Sequence, residues 1–252
     1  MPITPVPLNN SLLSFMKIQN LPELLARCDG SFIPRTLDDF IGRQMVERQS
    51  GDTWIGARLI AELLVQGVQL TNLNQRSPLK YLFNGRPGLG KSALVAYLQH
   101  LLGCNKWNTI KLNGTECKVE MIHEIVQQLA CTSLFGDWRM LWIDEADAIP
   151  PVAQVRFLTL LDDLPRGVAV ACTSNCKLRD FEERFQTRFQ AFEIAPPTTE
   201  EIISLLRRYL PDEPEVVNAA TFADGNVRQA LLDAKGLVQR SQVLTSAPVS
   251  PT

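Results

Sequence analysis

The chain has 252 residues, of which 45% are hydrophobic, and its formal net charge is −2. This length suits one large domain or a core with a small second domain, and the apolar fraction suits a folded globular protein. The near-neutral charge excludes the global basic field of a strongly nucleic-acid-binding protein, although a local basic groove stays open.

Six scattered cysteines, none in C-x-x-C spacing, and two histidines make a zinc site unexpected. Several of the cysteines lie in apolar runs, which favours buried, reduced thiols and a cytoplasmic protein. The N-terminus has no charged segment followed by a long apolar run, and no stretch is long and apolar enough to span a membrane. We therefore expect neither a secretory signal nor a membrane span.

In chain order, residues 1–33 contain three early prolines and weak helical patterns at 12–18 and 21–28. We interpret this segment as an N-terminal arm that binds a partner, or equally as a partly ordered terminus. In the next segment, Thr36 is predicted to cap a short turn with Asp39 at the capping-box position. Apolar residues at helical spacing then predict an amphipathic helix over Trp54–Leu70.

The most informative stretch is Gly85-Arg86-Pro87-Gly88-Leu89-Gly90-Lys91-Ser92, which fits the phosphate-binding pattern G-x-x-x-x-G-K-[ST]. An apolar strand over 79–83 precedes it, and a buried helix follows from Ala93. The glycines let backbone N–H groups turn toward an anion, and the helix N-terminus adds partial positive charge. Lys91 is predicted to reach the β- and γ-phosphates, and Ser92 to hold Mg²⁺.

Strands and helices then alternate up to residue 194, with strands predicted at 109–112, 139–145, 167–175 and 189–194 and helices at 119–130 and 152–164. This alternation predicts a parallel sheet flanked by helices, with ligands bound at the carboxyl ends of the strands. After Pro196-Pro197, helical patterns predict a small all-helical unit over 196–240. Residues 241–252 are rich in Ser, Thr and Pro and are expected to be disordered.

Polar residues follow two of the buried strands at that edge. We expect Asp144 to bind Mg²⁺ and Glu145 to polarise the attacking water, the alternative being a helix cap. Asn175 is placed to contact the γ-phosphate and the attacking water, or is a simple turn residue. Asp147 is interpreted as a cap or a partner contact.

Three arginines are candidates for contacts with phosphate. Arg184 and Arg188 precede the last strand, and a bidentate guanidinium contact there would stabilise developing phosphoryl charge. Surface salt bridges are the alternative. Arg228 is placed either to touch the γ-phosphate or to lie exposed on a helix.

Together these motifs resemble those of the AAA+ ATPases, and within them the clamp-loader and branch-migration-motor group. The resemblance covers about residues 34–240 and rests on a set of motifs that match in order. These are Walker A (Gly85–Ser92), Walker B (Met140–Glu145), sensor 1 (Asn175), the arginine-finger region (Arg184 to Arg188) and sensor 2 (Gly225–Arg228).

The resemblance implies an α/β P-loop NTPase with four parts: an N-terminal arm (1–33), a nucleotide-binding core (34–195), a helical lid (196–240) and a disordered tail (241–252). It also implies ATP and Mg²⁺ as cofactors, bound between subunits of a ring or spiral. Ile41 and Gly42 would line the adenine pocket. Arg188, or else Arg184, would be the finger that reaches a neighbour's γ-phosphate.

The expected site residues form three groups. The catalytic residues are Glu145, Asn175, Arg188 and Arg184, and the metal ligands are Ser92 and Asp144. The nucleotide-binding residues are Gly85, Arg86, Pro87, Gly88, Leu89, Gly90, Lys91, Ser92, Ala93, Asp144, Arg228, Ile41 and Gly42.

Two functions follow from this set. The leading hypothesis is an oligomeric ATPase that loads or remodels DNA or DNA-bound assemblies, as a clamp loader does in replication or repair; the DNA is implied by the resemblance alone. The alternative is an ATP-gated oligomeric adaptor or scaffold, for which nucleotide binding, and not hydrolysis, is the functional event. The N-terminal arm motivates this alternative.

Overall fold

The computed structural model describes residues 19–47, 53–130, 136–181, 183–210 and 214–246. The chain forms two compact units. Of the described residues, those within Ile33–Pro197 form the first unit, and those up to Phe32 together with those from Thr198 onward form the second. Within the described ranges, no helix combines the length and the apolar character needed to cross a bilayer.

The elements are numbered along the chain. The strands are β1 (Met45–Glu47), β2 (Thr53–Gly56), β3 (Leu79–Asn84), β4 (Thr109–Asn113), β5 (Arg139–Asp144), β6 (Val168–Ser174) and β7 (Gln190–Ala195). The α-helices are α1 (Leu21–Asp29), α2 (Ala57–Leu73), α3 (Lys91–Leu101), α4 (Val119–Ala130), α5 (Pro151–Asp162), α6 (Glu183–Gln186), α7 (Thr199–Leu206), α8 (Pro214–Phe222) and α9 (Val227–Ser246).

The first unit is built on a sheet whose seven described strands have the order β1-β2-β7-β3-β6-β5-β4. All neighbouring strands are parallel except β1 and β2. This confirms the predicted parallel α/β sheet. The interior strand β6 is buried at every position because both faces of the sheet are covered.

Two hydrophobic clusters hold the helices to the two faces of this sheet. One contains Ile60 and Leu64 of α2 together with Leu94 and Leu98 of α3. The other contains residues of α4 and α5, among them Phe157. Because these strands are parallel, their carboxyl ends lie at one edge of the sheet, and α3 begins directly after the loop that leaves β3.

The predicted helix over Trp54–Leu70 is wrong at its beginning. Trp54 and Ile55 belong to β2 and pair with Glu193 and Ile194 of β7, and α2 begins only at Ala57. Aromatic and β-branched side chains suit a strand, and short apolar runs do not distinguish the two structures. Gly56 is the last residue of β2 and directly precedes α2. Glycine is needed there because a Cβ would overlap the carbonyl group of Gly42.

The second unit packs α1 with the helices that follow Thr198. Tyr209, which is fully buried, donates its hydroxyl to Glu23 Oε1 at 2.7 Å and accepts the N–H of Gln19 at its backbone oxygen at 2.9 Å. Thr198 and Glu201 form the predicted capping box at the start of α7. Part of the segment interpreted as an arm thus belongs to the helical unit.

Two sequence predictions extend beyond the described residues. The helical pattern at 12–18 lies outside them, as does the second half of the segment predicted to be a disordered tail, residues 247–252. The helix α9 continues to Ser246 and so overlaps the beginning of that segment.

Candidate functional site

The loop between β3 and α3 depends on glycine. Gly85, Gly88 and Gly90 have φ angles of 148°, 82° and 89°, which side-chain-bearing residues rarely adopt. Gly90 comes directly before α3, so the free N–H groups at the beginning of this helix lie at the end of the loop. The loop and the helix N-terminus together suit an anion.

The ammonium group of Lys91 is held inside this loop. Its Nζ donates to the backbone oxygens of Gly85 at 2.6 Å and Arg86 at 2.9 Å, and to Asn175 Oδ1 at 2.9 Å. The side chain is almost completely buried. Two residues predicted from separate motifs, Lys91 and Asn175, therefore meet, at the tips of neighbouring strands.

Ser92 and Asp144 also come together. Ser92 Oγ lies 3.5 Å from Asp144 Oδ1, and Thr173 Oγ1 donates to the same carboxylate oxygen at 3.1 Å. Among the described residues no cluster of three or more His, Cys, Asp or Glu side chains forms a protein-only metal cage. A serine hydroxyl and one carboxylate fit Mg²⁺, because this ion keeps waters and takes its remaining ligands from substrate phosphates.

Asp144 has two further neighbours that sequence reasoning missed. Trp142 Nε1 donates to Asp144 Oδ1 at 2.9 Å, and Lys111 Nζ lies 3.4 Å from Asp144 Oδ2. Lys111 also stands 3.9 Å above the centre of the Trp142 ring. Trp142 precedes Asp144 by two residues and so shares its face of the sheet, but the pairing with β4 that brings Lys111 there is not visible in the sequence.

Glu145 is held by the segment that follows β4. Asn113 Nδ2 donates to Glu145 Oε2 at 3.1 Å, and the backbone N–H of Glu145 donates to Thr173 Oγ1 at 3.2 Å. Glu145 has a φ of 56°, and the adjoining Gly114 leaves no room for a Cβ beside the Glu145 carbonyl group. Asn113, which the sequence places only in a loop, therefore orients the predicted base.

Asp147 contacts the other strand tip. Its Oδ1 accepts the backbone N–H of Asn175 at 3.3 Å. This interaction ties the turn after β5 to the residue predicted to sense the γ-phosphate. It gives Asp147 a contact within the site, and the cap or partner contact that the sequence suggested stays a prediction.

The two candidate finger arginines differ in their surroundings. Arg188 forms a bidentate pair with Asp162 of α5, through Nε at 2.8 Å and a terminal nitrogen at 2.7 Å. It also donates to the backbone oxygen of Arg184 at 2.8 Å. The hydrogen bond from Arg188 lowers the pKa of Asp162. The side chain of Arg184 is exposed.

Ile41 and Gly42 lie at the beginning of α2. The N–H of Arg58 donates to both of their backbone oxygens, at 3.2 and 3.0 Å, and Gly42 has a φ of 90°. The capping box predicted for Thr36 and Asp39 is confirmed. Arg228 lies in the first turn of α9, in the helical unit. The adenine contacts of Ile41 and Gly42 and the phosphate contact of Arg228 stay predictions.

Comparisons with known proteins place the fold. Residues 81–196 match the family described as ATPase family associated with various cellular activities (AAA). A variant of the RuvB protein of Thermotoga maritima superposes with a TM-score of 0.64 at 16% identity, covering 86% of this chain and 68% of that one. A second RuvB variant gives 0.65 at 16% identity, covering 87% and 70%.

The Orc1 protein of Aeropyrum pernix, solved in complex with DNA, has a TM-score of 0.55 and 18% identity, covering 75% of this chain and 61% of that one. No curated protein matches the chain in sequence. At these identities the structural likeness shows the fold alone.

Proposed function

We propose that this protein is an AAA+ ATPase that hydrolyses ATP at subunit interfaces to load or remodel DNA-bound assemblies. The fold and the match of residues 81–196 to the AAA family support this proposal. The observation that carries the proposal is the meeting of Lys91 with Asn175 and of Ser92 with Asp144. Four residues chosen from three separate motifs thus form one charged site at the edge where parallel strands end.

Lys91 would bind the triphosphate by exchanging partners. Its ammonium now rests on two loop carbonyls and the amide oxygen of Asn175. Phosphate oxygens form stronger, charge-assisted hydrogen bonds with an ammonium group than neutral carbonyls do. The glycine loop and the N-terminus of α3 add N–H donors to the same anion.

Ser92 and Asp144 would hold Mg²⁺, which supplies charge neutralisation on the phosphates when bound. Thr173 and Trp142 fix the carboxylate of Asp144 by donating to the oxygen that faces Ser92. A carboxylate held in one orientation by such neighbours loses little further freedom when it binds a ligand.

Glu145 would orient and polarise the attacking water. Asn113 engages Oε2 and so fixes the orientation of the carboxylate that receives the proton. The amide N–H group of Asn175 is a hydrogen-bond donor suited to the γ-phosphate, and its amide oxygen, released by Lys91, is an acceptor suited to the water.

Hydrolysis would depend on assembly through an arginine from the neighbouring subunit. Arg188 is the first choice for this finger and Arg184 the second, and Asp162 holds the Arg188 guanidinium in one orientation before it meets a phosphate. Support for DNA comes from fold likeness to an Orc1 protein in complex with DNA.

The test compares wild type with Glu145→Gln and Lys91→Ala, measuring ATP affinity, assembly and turnover with and without DNA. Glu145→Gln should bind ATP and lose about 100-fold or more in turnover, because it removes the general base. Lys91→Ala should lose ATP binding itself. Glu124→Gln, which makes the same change at an exposed position on α4, is the matched control.

Turnover unchanged in Glu145→Gln would reject the catalytic assignment. The adaptor alternative makes a different prediction for function in cells: Glu145→Gln would preserve assembly and partner binding, and Lys91→Ala would abolish both. Loss of cellular function in both variants would leave the ATPase as the better account.

A further inference from the structure

Lys111 occupies an unusual place beside the predicted metal ligand. In the pairing of β4 with β5, Lys111 is directly opposite Trp142, and the next residues on that face, Asn113 and Asp144, are opposite each other. Side chains on one face of adjacent strands approach diagonally within the reach of a long side chain. The ammonium of Lys111 thereby reaches Asp144 Oδ2 at 3.4 Å.

Trp142 contacts both Lys111 and Asp144. Its ring lies 3.9 Å from Lys111 Nζ, within the range of a cation–π interaction, and its Nε1 donates to Asp144 Oδ1 at 2.9 Å. One oxygen of Asp144 thus receives an indole N–H and the other faces a cation. About half of the Lys111 side chain is exposed, so it can leave without opening the core.

We propose that Lys111 is a resident cation that competes with Mg²⁺ for Asp144 and that the metal becomes favourable there only together with the triphosphate. This inference rests on the proposed nucleotide site. The negative charge of Asp144 is what attracts a divalent cation, and a lysine within ion-pair distance partly neutralises it. Lys111 is therefore a positioning residue, since it acts through Asp144.

The geometry favours this role over a direct phosphate contact. Lys91 already supplies an ammonium within the phosphate loop, whereas Lys111 is held on Asp144 and Trp142 on the neighbouring strand. The phosphates of a bound nucleotide would supply the negative charge that Lys111 neutralises on Asp144. Metal without nucleotide would then bind weakly, which keeps the empty site free of a tightly held ion.

The experiment titrates Mg²⁺ at a fixed concentration of a fluorescent, non-hydrolysable ATP analogue, with binding as the readout. Lys111→Met keeps the aliphatic stem and removes the charge, and it should lower the half-saturating Mg²⁺ concentration about tenfold. Lys111→Arg should restore the wild-type value. Lys106→Met is the matched control, because Lys106 also lies over a tryptophan ring, that of exposed Trp107.

A second readout follows Lys111 itself. Displacement of the ammonium from the Trp142 ring should change the tryptophan fluorescence when Mg²⁺ and nucleotide bind, and Trp142→Phe should lose that change. An unchanged or raised Mg²⁺ midpoint in Lys111→Met overturns the inference. So does a severalfold loss of metal-free nucleotide affinity in that variant, which would make Lys111 a phosphate ligand.

The two proposals fail in different arms of the experiment. Wild-type protein that binds no nucleotide, with or without Mg²⁺, would refute the proposed function and with it this inference. Wild-type protein that binds nucleotide normally, with a Mg²⁺ midpoint unaffected by the charge at position 111, would refute this inference alone.

Discussion

Replacing Gly114 by alanine tests whether the backbone around Glu145 sets the rate of hydrolysis. A Cβ added to Gly114 would lie 2.0 Å from the carbonyl oxygen of Glu145, whereas real Cβ atoms essentially never come within 3.0 Å of another heavy atom. The neighbouring atom is backbone and cannot rotate away as a side chain would. The turn that carries Glu145 must therefore move, together with its hydrogen bond to Asn113.

The structure gives the size of the expected effect. A displacement of about 1 Å at a catalytic group typically lowers turnover about 100-fold, and overpacking lowers the free energy of unfolding by about 1–3 kcal/mol. ATP affinity should stay near the wild-type value, because Lys91 and the phosphate loop belong to other segments. Steady-state turnover, nucleotide binding and urea unfolding measure the three quantities.

Gly236→Ala is the control for this substitution. Gly236 lies within α9, and an added Cβ would meet no atom within 4 Å. Alanine there should raise the free energy of unfolding by about 0.5–1 kcal/mol without changing turnover. Turnover of Gly114→Ala within twofold of wild type would refute the reasoning, as would a parallel loss of ATP binding.

Two further predictions concern the arginines and the thiols. Arg188→Ala should lower turnover about 1000-fold or more with ATP affinity retained. Mixing it with Glu145→Gln subunits should restore turnover, because the Arg188 of one subunit then meets the intact Glu145 of the other. A comparable loss of turnover in Arg184→Ala alone would make Arg184 the finger. Burial raises the pKa of Cys117 from 9.0 to about 11, so the stability gained by keeping this thiol protonated is full below pH 9 and is lost as the pH rises towards 11. The free energy of unfolding of wild type, measured with urea, should therefore fall more steeply with pH over this range than that of Cys117→Ala. Equal slopes of this free energy against pH would contradict the assigned burial effect.

The parts of the fold that the sequence predicts well are encoded locally. The phosphate loop needs glycines at fixed positions, and the buried parallel strands β5 and β6 are continuous apolar runs. Both signals lie within a few consecutive residues. The beginning of α2 differs from the prediction because Trp54 and Ile55 satisfy the helical and the strand pattern equally, and only their partners in β7 decide between the two structures.

The partners of the predicted site residues could not be predicted for a different reason. Lys111, Asn113 and Asp162 each contact a predicted site residue across a strand pair or between elements that are distant in sequence. Such contacts depend on which strands are neighbours and on their register, and a change of register by one residue would turn each side chain to the opposite face. A single sequence determines neither which strands are neighbours nor their register.

These partners bear on how the proposed site would bind ATP. Lys91 donates to backbone carbonyls and to Asn175, Asp144 pairs with Lys111, and Glu145 accepts a hydrogen bond from the segment after β4. Each charged group therefore already has a partner in the single chain. Binding of the nucleotide and its metal therefore exchanges one set of contacts for another, and the affinity reflects the difference between them. Removing a group that would touch the ligand, such as Lys91, must weaken binding. Removing a resident partner, such as Lys111, should instead strengthen it, and the opposite signs separate the two kinds of residue in a single binding assay.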